Sequence, residues 1–275
     1  MNINIKLKDL IEAGMHLGHK TNKWNPSMNK YIYGSQDNIH IIDLRKTFTL
    51  LNNALSFIEN TIKNKGLILF IGTKSQASDI VKKYAIECSQ FYVNKRWLGG
   101  MLTNWNTISN SLNSLNSLNK KISNENLRLK KKEILQMNRQ IEKIEKYLGG
   151  LKDMGSLPHA IFVVDVNKDA IAVSEANKLK IPVIGILDTN SSPIGINYPI
   201  PGNDDSRKSI DLICSLISKT VLKNKKKIDF KEDKESVEKK NLITKIPKKE
   251  EVKKELKKKK KKNKWVKFLQ VISKN

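Results

Sequence analysis

The chain has 275 residues and carries 52 Lys+Arg against 27 Asp+Glu, a formal net charge of +25. Such a balance directs a protein to polyanions, and no stretch of it approaches the run of about 20 apolar residues that spans a bilayer. The opening Met1-Asn2-Ile3-Asn4-Ile5-Lys6 lacks the apolar core of a secretory signal, and Cys88 and Cys214 make neither a disulfide framework nor a zinc spacing; a soluble protein of a reducing compartment, with no membrane partner, is expected.

In chain order, the first informative segment is residues 16–33, His-Leu-Gly-His-Lys-Thr-Asn-Lys-Trp-Asn-Pro-Ser-Met-Asn-Lys-Tyr-Ile-Tyr. Cations, amides and aromatic rings interleave here without hydrophobic periodicity, so the segment reads as a loop. Cations suit phosphate, amides suit base edges and the 2′-OH, and flat rings suit stacking, which is the chemistry of RNA contact. Short Ile- and Val-rich runs then follow at 39–44, 66–72, 91–93, 160–166, 182–188 and 198–200. They do not alternate, as expected of strands covered on both faces. Amphipathic stretches at 47–62, 75–88, 168–180 and 206–222 separate them, and strands alternating with helices mean βαβ units. The fold class expected for residues 1–222 is α/β, a flavodoxin-like (Rossmann-like), doubly wound, mostly parallel sheet.

One insertion, at about 104–150, breaks this rhythm. Trp105, Ile108, Leu112, Leu115, Asn119 and Ile122 recur at spacings of 3 and 4. After a polar turn near Ser123-Asn124 the pattern returns at Leu127, Lys130, Ile134, Met137, Ile141, Ile144 and Leu148. Two such seams predict an antiparallel coiled-coil hairpin. Just before it, Asn94-Lys95-Arg96-Trp97-Leu98-Gly99-Gly100-Met101-Leu102-Thr103-Asn104-Trp105 repeats the mixture of residues 16–33. Here Trp97 and Trp105 read either as RNA contacts or as core residues locking the loop, with Lys95 and Arg96 facing outward. Residues 223–275 hold 22 Lys against 8 Asp+Glu, more than half of the chain's surplus charge. So polar a stretch buries too little apolar surface to offset folding entropy, and it predicts a disordered arm.

An α/β sheet invites a nucleotide-enzyme reading. The sequence has no GxGxxG, no GxxxxGK[ST], no nucleophile elbow and no evident His partner for either cysteine. Gly72-Thr73-Lys74, between a strand and a helix, suits an anion, and an RNA phosphate is its easier guest. Asp165, Asp188, Asp204 and Asp205 follow strand ends, where α/β proteins place ligands. Asp188, Asp204 and Asp205 converge on a divalent ion in one reading. In the other, Asp204 or Asp205 caps the helix near Ser206 while Asp188 fixes a turn with Thr189-Asn190. His16 and His19 have metal-pair spacing but lack a third ligand nearby; RNA contact, or a part in the turn around Gly18, is the alternative. The rival to an RNA-binding protein is a Rossmann-type enzyme using the strand-end carboxylates.

Ala13-Gly14-Met15-His16-Leu17-Gly18-His19, Trp24-Asn25-Pro26 with Met28, and Ile39-His40-Ile41-Ile42-Asp43-Leu44 resemble the opening of small-subunit ribosomal protein two of bacteria and organelles. Phe70-Ile71-Gly72-Thr73-Lys74, the run from Arg96 to Asn104, Gly149-Gly150-Leu151-Lys152-Asp153-Met154, Asp165-Val166-Asn167, Asp188-Thr189-Asn190 and Pro201-Gly202-Asn203-Asp204-Asp205 carry the likeness through residues 5–222. The resemblance implies a structural, non-enzymatic constituent of the small subunit, on a cytoplasmic or organellar ribosome, binding ribosomal RNA between head and body. It further implies contact with neighbouring small-subunit proteins and docking of the mRNA-binding protein numbered one. Some members of the family hold a divalent ion near the acidic strand ends. The Lys-rich arm departs from the family's usual compact end. The RNA contacts expected are His16, His19, Lys20, Lys23, Trp24, Asn25, Lys30, Lys74, Lys95, Arg96 and Asn104; no catalytic residue is expected.

Overall fold

A computed structural model describes residues 6–122 and 131–244. By its contacts the chain divides into two units, Met1–Lys225 and Lys226–Asn275.

The first unit opens with a short helix, α1 (Leu7–Glu12), and three antiparallel strands, β1 (Leu17–Lys20), β2 (Ile32–Gln36) and β3 (Ile39–Ile42), in the order β1-β3-β2. Asp37 and Asn38, with φ of 50° and 60°, join β2 to β3. Two successive left-handed residues match the twist of a tight hairpin, and Asp and Asn tolerate that backbone well. This small sheet corrects two expectations. Residues 39–44 do not enter the parallel sheet, and residues 16–33 are not loop throughout. An Ile-rich run of four residues reads alike in either kind of sheet, so only the turn at Asp37-Asn38 could have marked the hairpin.

Helix α2 (Leu44–Lys63) begins earlier than its apolar pattern suggests because Asp43 caps it, accepting from the Arg45 N–H at 3.1 Å. The Arg45 guanidinium, 3.1 Å away through Nε, holds the Asp43 carboxyl below its ordinary value. Asp43→Ala is expected to cost about 1 kcal/mol, read as a lower urea midpoint. A carboxyl with a depressed pKa stabilises the fold above its ordinary value and loses that contribution as pH falls through the depressed one. The gap between wild type and variant should therefore close in strong acid.

The remaining strands, β4 (Ile68–Ile71), β5 (Phe91–Val93), β6 (Ala160–Val163), β7 (Val183–Leu187) and β8 (Tyr198–Pro201), form a five-stranded sheet ordered β5-β4-β6-β7-β8. All its neighbours run parallel. Counted within this sheet the order is 2-1-3-4-5, the flavodoxin-like arrangement, and the α/β expectation holds. Every residue of β4, β6 and β7 is buried, which is why these segments read as unbroken apolar runs. β8 contains Pro199 and Pro201, which cannot donate to a ladder, and it lies at the sheet edge, where proline is tolerated. Phe57 of α2 stacks on Tyr198 at 4.2 Å, and Thr47 Oγ1 donates to the Pro201 carbonyl at 2.7 Å, fixing α2 against that edge.

Helices α3 (Ser75–Glu87), α4 (Trp105–Ile122), α5 (Lys131–Leu148), α6 (Ala170–Lys178) and α7 (Arg207–Thr244) complete the architecture. α4 and α5 occupy the insertion and pack on each other, with Ile108, Leu112, Leu115 and Leu148 buried. The turn at Ser123-Asn124, together with Leu127 and Lys130, lies outside the described residues. Beyond α5 the chain returns to the sheet at Gly150, where a Cβ would overlap the Tyr92 carbonyl. α7 ends well beyond the boundary expected at Leu222. Its backbone stays helical through Thr244 because Lys and Glu, although they cannot build a core, are good helix formers. The rest of the arm, residues 245–275, is outside the described residues.

Candidate nucleic-acid interface

The order of the parallel sheet reverses between β4 and β6, and the C-terminal ends of its strands face the N-terminal segment. That segment is clamped there by backbone. The His19 N–H donates to Thr189 Oγ1 at 2.8 Å, the Asn25 N–H to the Thr189 carbonyl at 2.7 Å, and Ser206 Oγ to the Ala13 carbonyl at 3.2 Å. Gly18 permits the approach, since a Cβ there would lie 2.5 Å from Thr189 Cγ2. Three separate runs of the sequence, around residues 14–19, 188–190 and 202–206, thereby become one structure.

Within it, the Lys74 ammonium lies 2.8 Å from Asp204 Oδ1, 2.6 Å from Asp205 Oδ1 and 3.4 Å from Asp165 Oδ2, with its side chain 15% exposed. Burial alone would lower the Lys74 pKa, but the hydrogen bonds to Asp204 and Asp205 outweigh it and hold the group well above its ordinary value. Burial pushes Asp204 up to about 7, with Asp165 and Asp188 adding to the rise and Lys74 opposing it. The expected exposure of Lys74 to an RNA phosphate is corrected: the carboxylates of Asp165, Asp204 and Asp205 draw it inward. Beside it, the Thr73 N–H and hydroxyl bind the Asp169 carboxylate at 3.3 and 2.8 Å. The anion that this strand-to-helix turn attracts is the chain's own.

His19 Nδ1 lies 3.0 Å from Asp188 Oδ2 and its Nε2 3.5 Å from Asp205 Oδ2. The bond to Asp188 raises the His19 pKa despite burial. Among the described residues, His19, Asp188 and Asp205 bring ligand atoms within 4.8 Å of one another. Imidazole and carboxylate donors suit a divalent cation. Asp204 stands outside this trio, bonded to Lys74, so the expected trio of acids reduces to two acids joined by a histidine. His16 is outside it too, its Nδ1 buried and without a hydrogen-bond partner among the described residues. Neither Asp204 nor Asp205 caps α7. Ser206 Oγ accepts from the Ser209 N–H at 3.4 Å, and Asn203 Oδ1 accepts from the N–H groups of Asp205 and Ser206. Asp188 does fix its turn, accepting from the Thr189 N–H and hydroxyl.

A second assembly surrounds Glu175 of α6, 6% exposed. Its Oε1 accepts from Trp97 Nε1 at 3.1 Å and the Gly100 N–H at 2.7 Å. Its Oε2 accepts from the Leu102 and Thr103 N–H groups and the Thr103 hydroxyl, at 2.9 to 3.1 Å. Burial would raise the Glu175 pKa, yet these bonds hold it below its ordinary value. The core reading of Trp97 is the correct one, and Trp105 is partly buried against the same core. Sequence reading missed Glu175, since one Glu on an amphipathic helix looks like any solvated residue.

The other expected contacts divide by exposure. Lys20, Lys23, Lys30, Lys95 and Arg96 are exposed. Trp24 is 36% exposed and leans on His40, with ring centroids 5.2 Å apart. Lys30 Nζ sits 4.9 Å over the Tyr31 ring. Asn25 and Asn104 are partly committed to turns, Asn25 Oδ1 accepting from the Ser27 N–H and Asn104 Oδ1 from the Thr107 hydroxyl. Tyr33 on β2, 73% exposed with the Arg45 guanidinium 5.9 Å from its ring centroid, was not singled out in the sequence. Among the described residues no helix is long and apolar enough to cross a membrane.

The family model for ribosomal protein S2 matches residues 10–224. Over 218 residues the chain is 55% identical to small ribosomal subunit protein uS2 of Anaplasma marginale (strain St. Maries), covering 78% of this chain and 67% of that protein. The protein of the same name from Anaplasma phagocytophilum (strain HZ) is 54% identical over 218 residues, 78% of this chain and 74% of its own length. That of Chelativorans sp. (strain BNC1) is 52% identical over 219 residues, 80% and 82%.

Proposed function

The chain belongs to the ribosomal protein S2 family, as a structural protein of the small ribosomal subunit rather than an enzyme, and we propose that it grips small-subunit ribosomal RNA between head and body. The observation that carries this reading is the exposure of Lys20, Lys23, Lys30, Lys95 and Arg96 on segments whose backbones are clamped internally. Cations held in place pair with phosphates at little entropic cost. Trp24 offers a ring for stacking and Asn104 an amide for hydrogen bonding. At the strand ends, where an enzyme of this fold would hold its ligand, the Lys74 ammonium is bound to the chain's own Asp165, Asp204 and Asp205. Neighbouring small-subunit proteins are the further partners. The mRNA-binding protein numbered one docks against this chain, as the family resemblance implies. Bacterial relatives favour a cytoplasmic ribosome over an organellar one.

Fractionation of a lysate on a sucrose gradient tests this. The chain should migrate with small subunits and whole ribosomes; a pool chiefly at the top of the gradient would contradict it. The arm allows a separate prediction. Residues 245–275 carry 14 Lys against 3 Glu. Deleting them should reduce the salt dependence of RNA binding, which reports the number of phosphates neutralised, while leaving incorporation into subunits intact. Loss of incorporation on that deletion would mean that the arm is part of the docking surface.

A further inference from the structure

We propose that Glu175 is the positioning residue for the cationic pair Lys95-Arg96, holding it in the conformation that meets RNA phosphate. The inference rests on the reading that Lys95 and Arg96 touch RNA.

Lys95 and Arg96 lie in the connection between β5 and α4 and are exposed. The residue on each side of the pair is anchored. Before it, Asn94 Nδ2 donates to the carbonyl of Ser78 at 3.2 Å and to its hydroxyl at 3.3 Å. After it, the Trp97 indole is buried and donates to Glu175 Oε1 at 3.1 Å. The pair is thus a two-residue span between fixed ends, and its side chains have solvent as their direction. The same carboxylate gathers the Gly100, Leu102 and Thr103 N–H groups, so one side chain from α6 closes the turn as far as the start of α4. Within the turn, the backbone adds the Met101 N–H to the Leu98 carbonyl at 3.3 Å, the Asn104 N–H to the Gly100 carbonyl at 2.9 Å and the Leu98 N–H to Met101 Sδ at 3.3 Å.

The chemistry requires a carboxylate. Each Glu175 oxygen faces at least two donors, an arrangement that two equivalent acceptors satisfy and an amide does not. In Glu175→Gln the NH₂ group must face either Trp97 and Gly100 or Leu102 and Thr103. Donor opposes donor in both cases, and one half of the turn is released. A loose span pays for ordering when it binds, whereas a clamped one has already done so.

The test uses the full chain and small-subunit particles depleted of it, with affinity measured from about 50 to 200 mM salt and well below the unfolding temperature. Each cation that pairs with phosphate contributes about 0.7–0.9 to the slope of log affinity against log salt. Lys95→Ala with Arg96→Ala should therefore flatten the slope by about 1.6, a change of about tenfold across that salt range. Glu175→Gln should reproduce most of this flattening and add nothing when combined with the double substitution. Glu175→Asp, which keeps two acceptor oxygens, should recover part of it. Trp97→Phe removes a single donor with little change of volume, and should shift the slope in the same direction by less, which provides a second route if Glu175→Gln folds poorly. A uniform loss of affinity at every salt concentration with an unchanged slope would make Glu175 merely structural and overturn the inference. Full additivity with Lys95→Ala and Arg96→Ala would overturn it as well. A wild-type slope in the Lys95→Ala, Arg96→Ala protein would instead refute the RNA contact itself, and the inference with it.

Discussion

Lys74→Met is expected to destabilise the fold by about 3–5 kcal/mol, the usual cost of removing one partner from a buried ionic group. The substitution keeps most of the side-chain volume and takes away the ammonium, so the effect is electrostatic rather than a cavity. Asp204 and Asp165, both largely buried, lose the cation 2.8 and 3.4 Å away. Asp205 is half exposed and contributes less, since water screens it. Urea denaturation should show the loss as a lower midpoint with an unchanged slope. The pH dependence has a definite sign. A carboxyl whose folded pKa is raised binds its proton more readily folded than unfolded, so the penalty for ionising it grows as pH rises. Asp204, already pushed up to about 7, rises further without Lys74. The variant should accordingly be closest to wild type near pH 4 and furthest from it above pH 7. Asp204→Asn placed in the Lys74→Met background should recover stability, a coupling that a double-mutant cycle measures. A loss below about 1 kcal/mol would mean that the cluster is solvated, contrary to its burial.

The second large effect is expected at Glu175→Ala. Four N–H groups and one hydroxyl lose their acceptor, and donors left in a dry turn cost about 1–3 kcal/mol each, less where water reaches them. A total of about 3–5 kcal/mol follows, a fall of roughly 10 °C in Tm for a unit of this size. Here the pKa is depressed, so the stabilisation by the carboxylate is present above the ordinary Glu value and disappears as pH falls through the folded one. The difference in Tm between wild type and variant should narrow below about pH 4. An unchanged Tm at neutral pH would contradict the hydrogen-bonded turn described above.

How far these features could be read from sequence depends on the physical signal each one leaves. β4, β6 and β7 were legible because strands covered on both faces must be apolar throughout, and little else is so short and so rich in Ile and Val. β5 followed from the amphipathic helix before it, whereas β8, which no helix separates from β7, was legible only as a short apolar run. The small sheet was not legible, since β1 and β2 are half exposed and carry the cations and rings that suit RNA. Composition located Lys74 beside a strand end but could not tell an inward ammonium from an outward one, because its partners Asp165, Asp204 and Asp205 lie some 90 to 130 positions away in the chain. Glu175 left no signal at all, its five donors lying more than 70 residues earlier. The extension of α7 was missed because Lys-rich composition argues against a core, not against a helix. The exposure of Lys20, Lys23, Lys30, Lys95 and Arg96 was the easiest feature to anticipate, since a charged side chain without a buried partner has solvent as its default.

The proposed grip of this chain on ribosomal RNA runs through those exposed cations, with Lys74 bound instead to Asp165, Asp204 and Asp205. A density map of the ribosome that contains it is the most direct test. The chain should lie on the small subunit, between head and body, with Lys20, Lys23, Lys30, Lys95 and Arg96 within pairing distance of RNA phosphates and Lys74 still bound to Asp204 and Asp205. A map with these five cations facing open solvent, or with a nucleotide seated between Lys74 and the strand ends, would contradict it.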